Sequence, residues 1–153
     1  MRSTDVNFQV GITHHTKPGH IARATLEATC FQTKAILEAM ESDSGKRLDV
    51  LKVDGGLSAS DFCMQTQADL SSIRVSRPMM RETTALGAAI AAGLAVDVWS
   101  GVEALSKIGC EDRTIFEPNP KERRTATMIR RWDRAVRMCK GWVAPHEDDD
   151  TYP

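Results

Sequence analysis

Six residues at 48–53, LDVLKV, carry apolar side chains at Leu48, Val50, Leu51 and Val53, and the run ends at once in Asp54-Gly55-Gly56. The alternation is only partial, which predicts a strand covered on both faces. Ser58 or Ser60 can then cap a helix carrying Phe62, Met64 and Leu70. A strand, a glycine turn and a helix in immediate succession restrict the chain to folds that lay helices on a sheet.

The flanking segments extend that pattern. Residues 8–12 read as a short strand and 13–19 as a loop. From His20 to about Met40, Ile21, Ala24, Ala28, Phe31 and Ala35 recur at alternating steps of three and four, which places them on one helix face. Leu26, Cys30 and Leu37 widen that face, and Gly45 is positioned to end the helix. A strand at 73–75 stops near Pro78, because proline donates nothing to a ladder. Glu82 or Thr83 opens a helix to about Val96, built largely from alanine with Gly87 and Gly93. Each helical glycine costs about 1 kcal/mol relative to alanine, and close approach of a neighbour would offset that. A weak helix is expected at 100–107, an extended piece at 116–118, and a helix from Pro120 to Trp142 with Met128, Trp132, Val136 and Cys139 at helical spacing. The order of elements argues for an α/β layer fold with parallel pairings.

Composition excludes several classes. With 153 residues the chain suits one domain, and a net charge of −1 gives no pull toward nucleic acid or an anionic membrane. Basic runs at 121–124 and 130–131 read as solvated helix faces. Cys30, Cys63, Cys110 and Cys139 stand too far apart for a C-x-x-C metal pair, so we read reduced, mostly buried thiols in a cytoplasmic protein. The first ten residues lack the apolar core of a signal peptide, and no window approaches a membrane span.

Chemistry concentrates at Asp54-Gly55-Gly56. At the carboxyl end of a strand in an open α/β sheet, loops line the crevice where ligands bind. Glycines there permit positive φ and bring no Cβ between backbone and ligand, while the following helix start aims N–H groups outward. The spacing matches neither G-x-G-x-x-G nor a Walker loop. On these residues alone a plain turn is the simpler account, and a ligand-facing corner stays open beside it. No nucleophile is signalled: G-x-S-x-G does not occur, and His14, His15, His20 and His146 have no evident partners.

Three stretches together carry a resemblance. Gly11-Ile12-Thr13 with HIARATLEA at 20–28 resembles the C-terminal signature of the FGGY carbohydrate kinases. VDGGLSASDFCMQTQADL at 53–70 and ETTALGAAIAAGLA at 82–95 are similar to the glycerol kinase branch, as are FEPNP and the Trp-containing helix after it. The likeness implies an α/β fold, part of an actin-like, ribonuclease H-like ATPase domain with a mixed sheet flanked by helices. It implies a divergent segment at 1–10, where Asn7 and Gln9 depart from the pattern, a domain core at 11–97, a helical extension at 98–143 and an acidic disordered tail at 144–153.

It also implies chemistry. The D-G-G turn becomes an adenosine motif, with Gly55, Gly56 and Ser60 as nucleotide-binding residues and Asp54 fixing the turn. Gly87 and Ala88 would pack closely against that corner. The cofactors are ATP or ADP with Mg²⁺, whose ligands lie outside this chain, as do the first phosphate loop, the general base and most of the glycerol pocket. The chain therefore reads as the nucleotide side of a glycerol kinase, inactive alone, whether it arises from an alternative start, a missed upstream exon or a decayed gene. The alternative is a non-enzymatic module that binds nucleotide or docks onto a kinase. Expected partners are adenine nucleotide, glycerol only in the complete enzyme, and no nucleic acid or membrane. Cutting such a domain from its sheet favours self-association into a homo-oligomer.

Overall fold

The structure, a computed structural model, describes residues 9–79, 82–105, 112–119 and 123–140. Four helices and three strands follow in the order α1 (Pro18–Ser44), β1 (Val50–Lys52), α2 (Asp61–Ser71), β2 (Arg74–Pro78), α3 (Thr83–Ala95), β3 (Arg113–Phe116) and α4 (Arg123–Cys139). Short 3₁₀ turns occupy Gly56–Ala59 and Val102–Leu105. The sheet runs β1-β2-β3, with β1 parallel to β2 in the register Leu51 to Val75, and β3 antiparallel to β2 with Phe116 opposite Val75. The fold is thus α/β with a mixed sheet, as the family resemblance implied, with an antiparallel β3 beside the parallel pair expected from the order of elements. RTIF is too short for its alternation to announce a strand, and pairing with β2 is what makes it one.

α1 begins two residues earlier than its apolar pattern, because Pro18 suits a first helical turn whose N–H groups have no intrahelical acceptor. Gly45, at φ 65°, ends it with its N–H on the Glu41 carbonyl at 2.9 Å. The buried face of α1 holds Cys30, Phe31 and Leu37, with Leu26 partly buried, whereas Ile21, Ala24 and Ala35 are exposed. Leucine and cysteine positions, expected only to widen the apolar face, are therefore its centre. α1 and α2 lie side by side in the same direction: Arg23 sits 4.9 Å over the Phe62 ring near their starts, and Arg47 reaches the Ser72 carbonyl near their ends.

The core forms where these helices meet β2. Cys30, Phe31, Cys63, Met64, Ala68, Leu70 and Val75 are buried together, and Met128, Ile129 and Trp132 of α4 pack against them. Phe31 and Trp132 stack with centroids 4.9 Å apart and planes 7° from parallel. α2 is tied to the segment after β3 by Gln65, whose amide donates to the Glu117 carbonyl at 2.8 Å, and by Asp69, which accepts from the Asn119 N–H at 2.9 Å.

Other expectations change. Residues 9–12 form no strand, and Val10 and Ile12 are exposed, since no described strand lies beside them. The expected helix at 100–107 is one 3₁₀ turn over the described part. Among the described residues, Cys30, Cys63 and Cys139 are free thiols, the first two buried. The 1–8 segment, Cys110, Pro120, Trp142 and the 144–153 tail lie outside the described residues. No helix among the described residues is long and apolar enough to cross a membrane.

Two outcomes follow from this core. Phe31→Ala removes the stacked ring and should cost about 3–4 kcal/mol, read as a shift in urea midpoint. The Cys30 thiol donates to the Cys63 carbonyl, and burial, with Cys63 adding to it, pushes that thiol from 9.0 up to about 12. The folded chain holds the proton more tightly than the unfolded one, so this stabilisation is complete below the ordinary value and is lost as pH rises from 9.0 toward about 12. Urea midpoints should fall across that window, and less steeply in Cys30→Ala.

Candidate functional site

The turn after β1 is built from a few enforced contacts. Val53 continues the ladder, its N–H reaching the Ser76 carbonyl at 3.1 Å. Gly55 then adopts φ 80° and ψ 179°, a conformation in effect reserved for glycine. Its carbonyl accepts twice from Ser58, from the backbone N–H at 3.1 Å and from the hydroxyl at 2.6 Å, and Ser58 is buried at 2% exposure. Ser60 is the N-cap of α2, its oxygen accepting from the Cys63 N–H at 3.3 Å.

Arg77 of β2 locks this turn from behind. Its guanidinium donates to the Ser58 carbonyl at 2.8 Å, pairs with Asp61 at 2.7 Å and lies 5.0 Å over the Phe116 ring. The arginine side chain is 14% exposed, so the carbonyl bond forms away from competing water, while the Asp61 carboxylate at 75% exposure adds little. On the open side, the Asp54 carboxylate accepts from the Thr83 hydroxyl and joins the corner to the start of α3.

The three residues expected at the site are thus brought together in one turn, with different local demands. Gly55 is required by its backbone angles. Ser60 is engaged by the helix it caps, and among the described residues its hydroxyl proton has no acceptor. Gly56 stands at the first 3₁₀ position without positive φ, and a Cβ built on it would meet nothing within 4 Å. Both glycines and Asp54 are exposed, so the turn offers bare backbone to solvent at the carboxyl end of β1.

The expected close packing of Gly87 and Ala88 on this corner is not found. A Cβ on Gly87 would also meet nothing within 4 Å, and Ala88 is exposed. The tight approach falls at Gly93, where a Cβ would run into the Trp99 ring. Sequence reading missed Arg77, because an arginine before a proline carries no spacing signal, and it named Ser58 and Thr83 only as possible helix starts, not as partners of Gly55 and Asp54. No group of three or more His, Cys, Asp or Glu side chains able to hold a metal occurs among the described residues. A groove of about 870 Å³ between α1 and α4, lined by Ile12, Ile21, Phe31, Arg131 and Trp132, lies apart from the corner.

A strand-end glycine turn capped into a helix, on a parallel pair, stands where open α/β sheets commonly place their ligand-binding loops. Residues 2–96 match the FGGY family of carbohydrate kinases, C-terminal domain, and the chain belongs to that family. It is 49% identical over 134 residues to a glycerol kinase of Renibacterium salmoninarum, covering 88% of this chain and 26% of that protein. It is 45% identical over 140 residues to a glycerol kinase of Pseudomonas savastanoi pv. phaseolicola, covering 92% of this chain and 28% of the relative. The crystal structure of Plasmodium falciparum glycerol kinase with ADP superposes with a TM-score of 0.68 at 30% identity, covering 85% of this chain and 26% of that one. A xylulose kinase from Lactobacillus acidophilus, at 20% identity and a TM-score of 0.61, shares the fold. The chain therefore spans little more than a quarter of the glycerol kinases it matches.

The turn makes a sharp contrast testable. Gly55→Ala should destabilise by about 1–3 kcal/mol because its φ of 80° is closed to alanine, while Gly56→Ala should be near neutral in the same urea titration.

Proposed function

We propose that the chain forms the nucleotide side of an ATP:glycerol 3-phosphotransferase, with the turn at 54–60 receiving adenosine. The observation that carries this reading is Gly56. Neither backbone angle nor packing demands a glycine there, and the space above it is open, so a flat ring or ribose could lie against the main chain. Gly55 shapes the turn beside it. The Ser60 oxygen already caps α2, which leaves its proton as the group able to reach a ribose or base acceptor. Asp54 serves the turn by accepting from Thr83 rather than by touching ligand.

In the complete reaction a terminal glycerol hydroxyl attacks the γ-phosphorus of ATP. The bond to the β,γ-bridging oxygen breaks, ADP leaves, and the hydroxyl proton passes to a general base. Such transfer rests on positioning and on charge stabilisation in a closed cleft. When bound, Mg²⁺ neutralises phosphate charge; its ligands, the base and the glycerol pocket belong to portions of the kinase outside the matched stretch. The free thiols suit a cytoplasmic setting. The identities of 45–49% to glycerol kinases favour glycerol over another sugar alcohol as the acceptor.

Calorimetry of the 153-residue chain with ADP should give measurable binding, and Gly56→Trp should weaken it at least roughly tenfold, since a bulky side chain would start from the open space proposed for adenosine, where a Cβ meets nothing within 4 Å. Equal heats for the two proteins would remove this corner as the nucleotide site. The chain alone should form no glycerol 3-phosphate from ATP and glycerol. ADP binding without turnover supports the reading, and steady turnover by the chain alone overturns it.

A further inference from the structure

β2 is the middle strand of the sheet, and Arg77 lies where its two ladders come together. The Arg77 backbone is opposite Thr114 of β3, while Ser76 before it is opposite Lys52 of β1 and accepts from the Val53 N–H. A side chain that leaves a doubly paired strand starts from a rigid base. The Phe116 ring, 5.0 Å from the guanidinium carbon, gives the planar group a face to lie on. Both the origin and the plane of this guanidinium are thus set by the sheet.

The turn at 54–60 has less support of its own. Asp54, Gly55 and Gly56 are exposed, and their placement passes through the buried Ser58. The N–H and the hydroxyl of Ser58 both donate to the Gly55 carbonyl, which belongs to the peptide joining Gly55 to Gly56. Moving Ser58 therefore moves that peptide. The Ser58 carbonyl in turn accepts from the Arg77 guanidinium at 2.8 Å. Contacts run without a gap from the paired sheet, through one arginine and one serine, to the exposed glycine peptide.

We propose that Arg77 is a positioning residue for nucleotide binding, which fixes the Gly55–Gly56 peptide through Ser58 and does not touch the ligand. The proposal rests on the nucleotide reading above. Two other roles disagree with the geometry. A phosphate contact needs a free guanidinium, whereas this side chain is mostly buried and engaged by Ser58, Asp61 and the Phe116 ring. The ion pair is a poor carrier of the effect, because the Asp61 carboxylate is exposed and water screens it. The bond to the Ser58 carbonyl remains, made on the protein side of the turn and felt on its open side.

The test is calorimetry with ADP and with adenosine on the 153-residue chain and its variants. Arg77→Gln, which loses the charge and is too short for the turn, should weaken ADP binding at least roughly tenfold. Arg77→Lys keeps a charged donor without the planar face and should weaken it roughly threefold. Asp61→Asn should leave the affinity within about twofold. Adenosine should lose the same factor as ADP in each variant, because the effect passes through the main chain and not through phosphate charge. Amide NMR spectra locate the effect: resonances of residues 55–58 should move in Arg77→Gln, while those of residues 34–41 in α1 keep their positions. Unchanged ADP affinity in Arg77→Gln overturns the proposal. So does a loss confined to ADP, which makes Arg77 a phosphate contact, or a loss in Asp61→Asn as large as in Arg77→Gln. Shifts spread equally through α1 also overturn it, since Arg77 would then serve the whole domain. Should Arg77→Gln not fold, Arg77→Lys decides, and unchanged affinity there is the overturning result. If the unsubstituted chain binds no ADP, the nucleotide reading fails and takes the proposal with it, a failure visible before any variant is compared.

Discussion

One guanidinium organises the functional end of this domain. Arg77 leaves β2 and reaches a carbonyl in the turn, a carboxylate at the start of α2 and an aromatic face on β3, so a single side chain links three elements. The carbonyl bond matters most. Ser58 is buried and spends both its N–H and its hydroxyl on Gly55, which leaves its own carbonyl facing the interior in need of a donor. A charged donor there is worth about 1.5–3 kcal/mol and holds a turn whose glycine takes a conformation closed to other residues. With the turn held, the direction of α2 is set, and the core that α2 shares with α1 and β2 follows.

That core covers part of the sheet region with α1, α2 and α4, and the stacked Phe31–Trp132 pair brings α4 onto the far side of α1. α4 shows how a strongly basic helix can still be a core element. Met128, Ile129 and Trp132 face inward, while Arg130, Arg131, Arg134 and Arg137 face solvent. Their charge is matched by acidic residues elsewhere in a chain of net charge −1. α4 is amphipathic and half covered, whereas α3 carries no charged residue and, among the described residues, is nearly uncovered.

Much of this was legible in the residues. The apolar run, the two glycines and the capping serine marked β1, the turn and α2 because each is a local signal with a local cause. Gly45 ended α1 for an equally local reason, whereas β2 runs past the expected 73–75 through Ser76, Arg77 and Pro78, because those residues pair with β3. What was not legible depended on partners distant in sequence. The centre of the buried face of α1 is set by Cys63 and Met64 of α2, and periodicity alone gave Ile21 and Ala24 equal claim. β3 exists through its pairing with β2, and Trp99 folds onto Gly93 although nothing in either residue's neighbourhood announces it. The site residues were found from spacing and resemblance, but Arg77, which holds them, was not.

The glycines divide by the demands made on them, and that division separates fold from function. Gly55 is needed by its dihedral angles and Gly93 by the ring of Trp99, so both would be retained in any protein of this shape. Gly56 and Gly87 meet neither demand inside the described structure. A glycine at such a place carries an entropic penalty of about 0.5–1 kcal/mol with nothing internal to offset it. Among the described residues nothing offsets that penalty, and the two positions lie in different surroundings. Gly56 opens on the carboxyl end of the strand, where a small flat ligand can approach the backbone. Gly87 lies on α3, a helix without a charged residue that is largely exposed among the described residues. The Asp54–Thr83 bond joins the turn that carries Gly56 to the start of the helix that carries Gly87.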